Sequence, residues 1–250
     1  MADKSNYIGF WALDPVDGTN GFLRGGQYAI ALGLIVDGKV MVGAVACPNL
    51  PFDSAQPQGP KGVLFSAVRN QGTTERPLDP ASTSIPREIH TSTTSRAVDA
   101  SFCEGVQEAG HYSHEAQASV ARRLNITKPS VRIDSQAKYG CLARGDGDIY
   151  LRLSFNPEHK ENVWVRNPVS LSCTRTRGPF TDYEGLSFVM QDYAAGSILV
   201  EEAGGVVTDA FGQPLDFTQG RASKLSYGIV ATSRGINAEV IRAVKEVFGV

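Results

Sequence analysis

Residues 13–26 read LDPVDGTNGFLRGG, with two aspartates, Asp14 and Asp17, around a proline at the end of the apolar run 7–13. Two carboxylates held this close repel unless a positive charge lies between them. Pro15 fixes the backbone at a turn, and Gly18 and Thr19 are placed to open a short helix whose free N–H groups aim at an anion. Carboxylates are the hard oxygen ligands that Mg²⁺ prefers. Two of them bridging two ions, beside amides that hold a phosphate, make a metal-assisted phosphoryl-transfer site. The same letters also spell an ordinary β-turn with surface carboxylates, because DP and DG are common turn dipeptides. On this stretch alone both readings stand.

A second acidic patch, DYAAGSILVEEAGGVVTD, covers residues 192–209. It predicts an amphipathic helix over 192–203, stopped by Gly204-Gly205. Asp192 then falls in the first turn, where the helix dipole favours a carboxylate. Asp17 and Asp192 are so far apart in sequence that only a fold can join them, as in a metal site at a cleft between two domains.

The rest of the composition narrows the class. The chain has 250 residues, 24 Lys and Arg against 26 Asp and Glu, and a net charge of -2. That length suits one large or two small domains, and the near-neutral charge argues against a nucleic-acid polymer as partner. The first residues lack the apolar core of a signal peptide. The longest apolar run, 28–36, is too short to span a bilayer, so no membrane partner is expected. The four cysteines, Cys47, Cys103, Cys141 and Cys173, form no CxxC pair and read as buried or incidental thiols of a reducing compartment. A cytoplasmic location follows as the expectation, and nothing sets the oligomeric state.

Residues 7–14 predict a strand ended by Pro15. Apolar runs at 28–36 and 39–47 joined by Asp37-Gly38 predict a hairpin, and 61–68 a further strand, so the first third reads as antiparallel sheet. Residues 72–99, rich in Ser, Thr and Pro, read as loop, a short strand near Ile89 and a domain boundary. Strand-helix alternation follows: strands at 101–106, 131–133, 148–153, 205–209 and 227–232, and helices at 114–124, 135–144, 192–203 and 237–248. Ser113 and Ser135 are the candidate N-caps. The alternation predicts a mainly parallel sheet with helices around it. The division expected is 1–95 and 96–250, with an irregular insertion at about 154–190 that shows neither period.

The run Asp14-Pro15-Val16-Asp17-Gly18-Thr19 and the pattern Asp192…Ala195-Gly196…Glu202-Ala203-Gly204-Gly205 together resemble the two signatures of the Mg²⁺-dependent, lithium-sensitive inositol monophosphatase superfamily. The continuation from Gly21 to Ala29 is similar to its 3′(2′),5′-bisphosphate nucleotidase branch. The resemblance implies a layered α/β/α/β/α sandwich of the inositol monophosphatase and fructose-1,6-bisphosphatase type. It implies removal of the 3′-phosphate of adenosine 3′,5′-bisphosphate (PAP), or of its sulfated form, to leave AMP and phosphate; hydrolysis of inositol monophosphate is the same-fold alternative. By position, Asp14, Asp17, Asp192 and the Val16 carbonyl are the implied Mg²⁺ ligands. Thr19, with Asp17, orients the attacking water. Gly18, Thr19, His114, Ser135, Lys138, Arg152 and Asp192 are the implied substrate residues.

General chemistry agrees with several of these roles. Ser135 and Lys138 share a face at a helix N-terminus, and Arg152 can fork onto a phosphate. Lys138 and Arg152 also read as solvated surface charges, and His114 as a plain first-turn residue. The sequence departs from the resemblance twice. Only 13 residues precede Asp14, so the family's N-terminal glutamate ligand and its acidic partner for the threonine are expected to be missing, which makes a catalytically impaired nucleotide-binding fragment a further alternative. The stretch between Arg152 and Asp192 is also far longer than expected, and Gln191-Asp192-Tyr193 stands where the family has Trp-Asp-His.

Overall fold

The computed structural model describes residues 9–79, 81–106, 114–153, 188–218, 222–223 and 228–248. The first third is a six-stranded antiparallel meander whose strands lie side by side in chain order. They are β1 (Gly9–Asp17), β2 (Ala29–Val36), β3 (Lys39–Pro51), β4 (Lys61–Val68), β5 (Thr73–Pro77) and β6 (Arg87–Ile89), with the short α1 (Thr19–Leu23) between β1 and β2. Strict alternation sets the two faces: Ala29, Ala31, Gly33 and Ile35 of β2 are buried and the residues between them are only partly covered. The hairpin to β3 turns on Asp37 (φ 49°) and Gly38 (φ 71°), both left-handed as a two-residue turn of matching twist requires.

The remaining elements are β7 (Cys103–Glu104), α2 (His114–Leu124), β8 (Val131–Arg132), α3 (Ala137–Ala143), β9 (Ile149–Leu153), β10 (Phe188–Val189), α4 (Ala194–Glu202), β11 (Val206–Asp209), β12 (Ala222–Ser223), β13 (Gly228–Thr232) and α5 (Asn237–Phe248). A second sheet has the order β11-β13-β9. Helices α3 and α4 lie between the two sheets. From Ala194 to Val200 α4 is buried on every side, as a helix between two apolar layers must be. It can sit so close to the first sheet because Gly43 has no side chain: a Cβ there would stand 2.4 Å from Ile198 Cγ2 and 2.7 Å from the Ala195 carbonyl. Tyr150, Ile229 and Ala231 face this inner core. Ile149, Leu151 and Val230 face the other way, into a smaller core completed by Val120 of α2 and Val240 and Val244 of α5. The result is a layered α/β architecture of sheet, helices, sheet, helices.

Five expectations need correction. The second sheet is antiparallel throughout; parallel pairing is confined to β7 with β8 and a single bridge from Phe102 to Ile149. Strands buried on both faces look alike whichever way they run, so hydrophobic pattern cannot report direction. Strand β1 does not end at Pro15 but runs on to Asp17 through a register shift; on an edge strand at a bulge, proline's missing N–H costs nothing. Part of the supposed loop 72–99 is β5, whose polar letters Thr73-Thr74-Glu75 hide a buried strand. Ser135 is not the N-cap of α3; that place belongs to Gln136. Asp192 is not in the first turn of α4 but ends a separate turn of 3₁₀ helix, Met190–Asp192. Residues 154–187, including most of the irregular insertion, and Cys173 and Ser113 lie outside the described residues. No described helix is long and apolar enough to cross a membrane.

Candidate active site

The register of β1 explains how Asp14 and Asp17 come to share a face. Residues three apart on a regular strand point to opposite faces. Here Asp14 pairs with Ala31 and Asp17 with Ala29, so three steps on β1 match two on β2. The extra residue is a bulge that turns both carboxylates to the inner side. The Val16 N–H donates to Asp14 Oδ1 at 3.3 Å, which holds the bulge closed.

The chain after Asp17 is pressed against the start of α3. Gly18 has φ 82°, and a Cβ on it would lie 2.8 Å from that of Ser135. Ser135 is itself left-handed, φ 71°, an uncommon conformation for a residue with a side chain. Its Oγ accepts from the Ala137 N–H at 3.2 Å. The turn thereby presents the Gln136 N–H to Asp17, whose Oδ2 accepts it. The Gln136 side chain reaches the other way: its Nε2 donates to the Gln191 carbonyl at 2.9 Å, next to Asp192. Gln136 thus joins β1 to the turn before α4. The sequence reasoning missed it, because a glutamine between serine and alanine carries no motif.

Asp192 faces a cation. Arg152, on β9, donates from Nη2 to Asp192 Oδ2 at 2.8 Å and from Nη1 to its carbonyl at 3.3 Å. Lys138 lies in the first turn of α3, with its ammonium 5.3 Å from the centre of the Tyr150 ring. Burial pulls the Lys138 ammonium below the usual lysine range, while Asp17 and then Asp134 work against that. Burial pushes the Asp14 carboxyl up to about 7, with repulsion from Asp17 and Asp192 adding to it. Burial likewise raises Asp17, against the pull of Lys138. Three carboxylates therefore share one neighbourhood with two cations, and the acids are in excess.

The structure thus brings together Asp14, Asp17, Gly18, Ser135, Lys138, Arg152 and Asp192. Thr19 opens α1 beside them and is exposed, as is Val16. His114 begins α2, but its side chain lies outside the described atoms. The acids are not closed around a common point: among the described residues, no three acids, histidines or cysteines stand close enough together to hold one ion. Asp192 is turned to Arg152 and Asp17 to the Gln136 amide.

Fold and site together define the class. The chain matches the model of the inositol monophosphatase family over residues 3–164 and 184–247, and it belongs to that family. Within it, the chain is 46% identical over 249 residues to the 3′(2′),5′-bisphosphate nucleotidase of Emericella nidulans, covering 95% of this chain and 63% of that protein. It is 45% identical to the protein of the same name from Schizosaccharomyces pombe, covering 97% of this chain and 62% of that one. The chain therefore spans under two thirds of the length of these relatives. Among solved structures, the inositol monophosphatase from Anabaena has a similar fold, with a TM-score of 0.61 at 23% identity over 98% of this chain and 75% of that one.

Proposed function

We propose that this chain carries a phosphatase site that removes the 3′-phosphate of adenosine 3′,5′-bisphosphate, or of its sulfated form, to give AMP and phosphate with Mg²⁺ as cofactor. The observation that carries the reading is the surplus of acid: Asp14 is pushed to about 7 beside Asp17 and Asp192. A hard divalent cation is the group whose charge would offset such a surplus. Asp14 and Asp17 would hold it, with the Val16 carbonyl and Asp192 as further ligands. Bound there, it would supply charge stabilisation to a phosphoryl group and acidify water.

The chain's own residues have separate tasks in this reading. Lys138 and Arg152 would offer positive charge to the substrate's phosphates, with Ser135 beside them at the start of α3, and His114 is the further substrate residue that the family resemblance implies. Gly18 and Thr19 offer the amide and hydroxyl at the start of α1, with Thr19 and Asp17 orienting the attacking water. The names of the relatives favour a nucleoside bisphosphate over inositol monophosphate. A second reading, nucleotide binding without turnover, draws on the pairing of Asp192 with Arg152 and on the open arrangement of the acids.

Phosphate release from PAP and from inositol 1-phosphate, with and without Mg²⁺, tests the proposal. Mg²⁺-dependent release from PAP in excess over inositol phosphate is expected. Release without Mg²⁺, or a preference for inositol phosphate, overturns it. Nucleotide binding in calorimetry without any release supports the second reading.

A further inference from the structure

The turn Met190–Asp192 carries Asp192 to the site, and two side chains from other elements hold its carbonyls. Arg152 of β9 donates from Nη1 to the Asp192 carbonyl at 3.3 Å and from Nη2 to Asp192 Oδ2 at 2.8 Å. Gln136, at the start of α3, donates from Nε2 to the Gln191 carbonyl at 2.9 Å, while its own N–H is given to Asp17 Oδ2. The Tyr193 N–H closes the turn on the Met190 carbonyl at 3.3 Å, a bond internal to it.

The two holders differ in chemistry. Arg152 is charged, and a phosphate competes with Asp192 for the same fork of donors. In the phosphatase reading, on which this inference rests, Arg152 is offered to the substrate. Each donor given to a phosphate is one fewer for the turn. Asp192, relieved of its cation, then feels the repulsion of Asp14 and Asp17 more strongly. Gln136 is neutral, so the arrival of a phosphate gives its amide no reason to leave Gln191, and its N–H on Asp17 anchors it to β1.

The Gln136 side chain is also badly suited to packing alone. The residue is 3% exposed. A carbonyl only accepts, so Nε2 must face Gln191 and Oε1 must turn away. Among the described residues no donor reaches that buried oxygen. An orphaned acceptor costs stability, and a methionine, of similar length, would fill the space without it. A residue that breaks the rule for a buried position is better explained by function than by stability.

We propose that Gln136 is a positioning residue of the phosphatase site: its side-chain amide keeps the Asp192 turn beside Asp17 when a substrate phosphate draws Arg152 away. Arg152 and Gln136 hold the turn together in the empty site, and Gln136 alone holds it in the occupied one.

Hydrogen exchange across the turn, read by mass spectrometry, tests the proposal in the parent chain, Gln136→Met, Arg152→Lys and the two combined. The Arg152→Lys change keeps the positive charge but cannot fork onto two acceptors. Each single change should leave exchange of the turn within about threefold of the parent, and the combination should speed it at least about tenfold beyond the product of the two. AMP added to Gln136→Met should loosen the turn, as Arg152→Lys does in that variant, and AMP added to the parent should not. The unfolding midpoint of Gln136→Met should be unchanged or raised. Additive effects of the two changes, or a turn that stays protected in Gln136→Met with AMP bound, overturn the proposal. So does a Gln136→Met chain that fails to fold or unfolds more easily than the parent, since the amide then serves stability. AMP that binds neither protein in calorimetry overturns the phosphatase reading, and the proposal falls with it; bound AMP with additive exchange overturns the proposal alone.

Discussion

Two groups of charges, most of them buried, lie around α3, built from the same kinds of residue and arranged to opposite ends. In the first, Glu75 of β5 is fully buried and accepts from Arg87 Nε at 2.9 Å, with Arg144 Nη1 at 3.5 Å on its other oxygen. Arg144 also forks onto Asp146 Oδ2 at 2.8 and 2.6 Å and donates to the Pro51 and Phe52 carbonyls. Its guanidinium lies over Phe65 and that of Arg87 over Phe52. Two acids meet two arginines, and every charge is in contact with its opposite. Burial works against the charge on Arg144, but Asp146 and its other neighbours more than offset that. In the second group, Asp14, Asp17 and Asp192 share Lys138 and Arg152, and Asp14 is driven to about 7. A balanced cluster is complete as it stands and ties β5, β6 and the end of α3 together. An unbalanced one is stable only with something added, which is why it reads as a site.

Removing one partner should therefore hurt the balanced cluster most. Glu75→Ala removes the carboxylate that Arg144 and Arg87 share, but Arg144 keeps Asp146 and Arg87 is 60% exposed, so the cost should be that of lost charge-assisted hydrogen bonds, about 1.5–3 kcal/mol. Urea unfolding should show a loss of that order, and a loss under 1 kcal/mol would mean that the cluster is dispensable.

The unbalanced cluster should behave in the opposite sense. Asp14→Asn removes a buried, repelled carboxylate, so the metal-free protein should keep its stability or gain up to about 1 kcal/mol. Mg²⁺ should raise the melting temperature of the parent chain by mass action and leave that of Asp14→Asn unchanged. If the asparagine variant loses as much stability as Glu75→Ala, the two clusters are alike and the comparison fails.

The smallest effect expected is no effect, at a thiol beside the balanced cluster. Cys141 is pushed up to about 12 by burial, with Asp146 adding to it. At pH 9 only about one molecule in a thousand then carries the thiolate, the form that reacts. Raising the pH from 7 to 9 speeds labelling of an exposed thiol, and it should leave Cys141 unlabelled until denaturant is added. Stoichiometric labelling of Cys141 in the native protein at pH 9 would show that this side of α3 opens to water.

Much of the first sheet was legible in the letters because its causes are local. Short apolar runs marked β2 and β4, a two-residue turn marked the β2–β3 hairpin, and the glycine stop after α4 was read correctly. The paired aspartates announced themselves for the same reason: the bulge that puts them on one face is made by the two residues between them. Other features have causes distant in sequence. Glu75 looked like a loop residue, since its burial depends on Arg87 and on Arg144, 69 positions away. The direction of β13 against β9 and β11 left no trace in strands that are apolar throughout. Gln136 became a link only when the fold placed Asp17 on its amide and Gln191 beside its side chain. By itself the sequence determined the family and most of the segments that form strands and helices. Tertiary structure alone decided which charges are neutralised and which are left in excess, because that balance depends on distances between groups that the chain order keeps far apart.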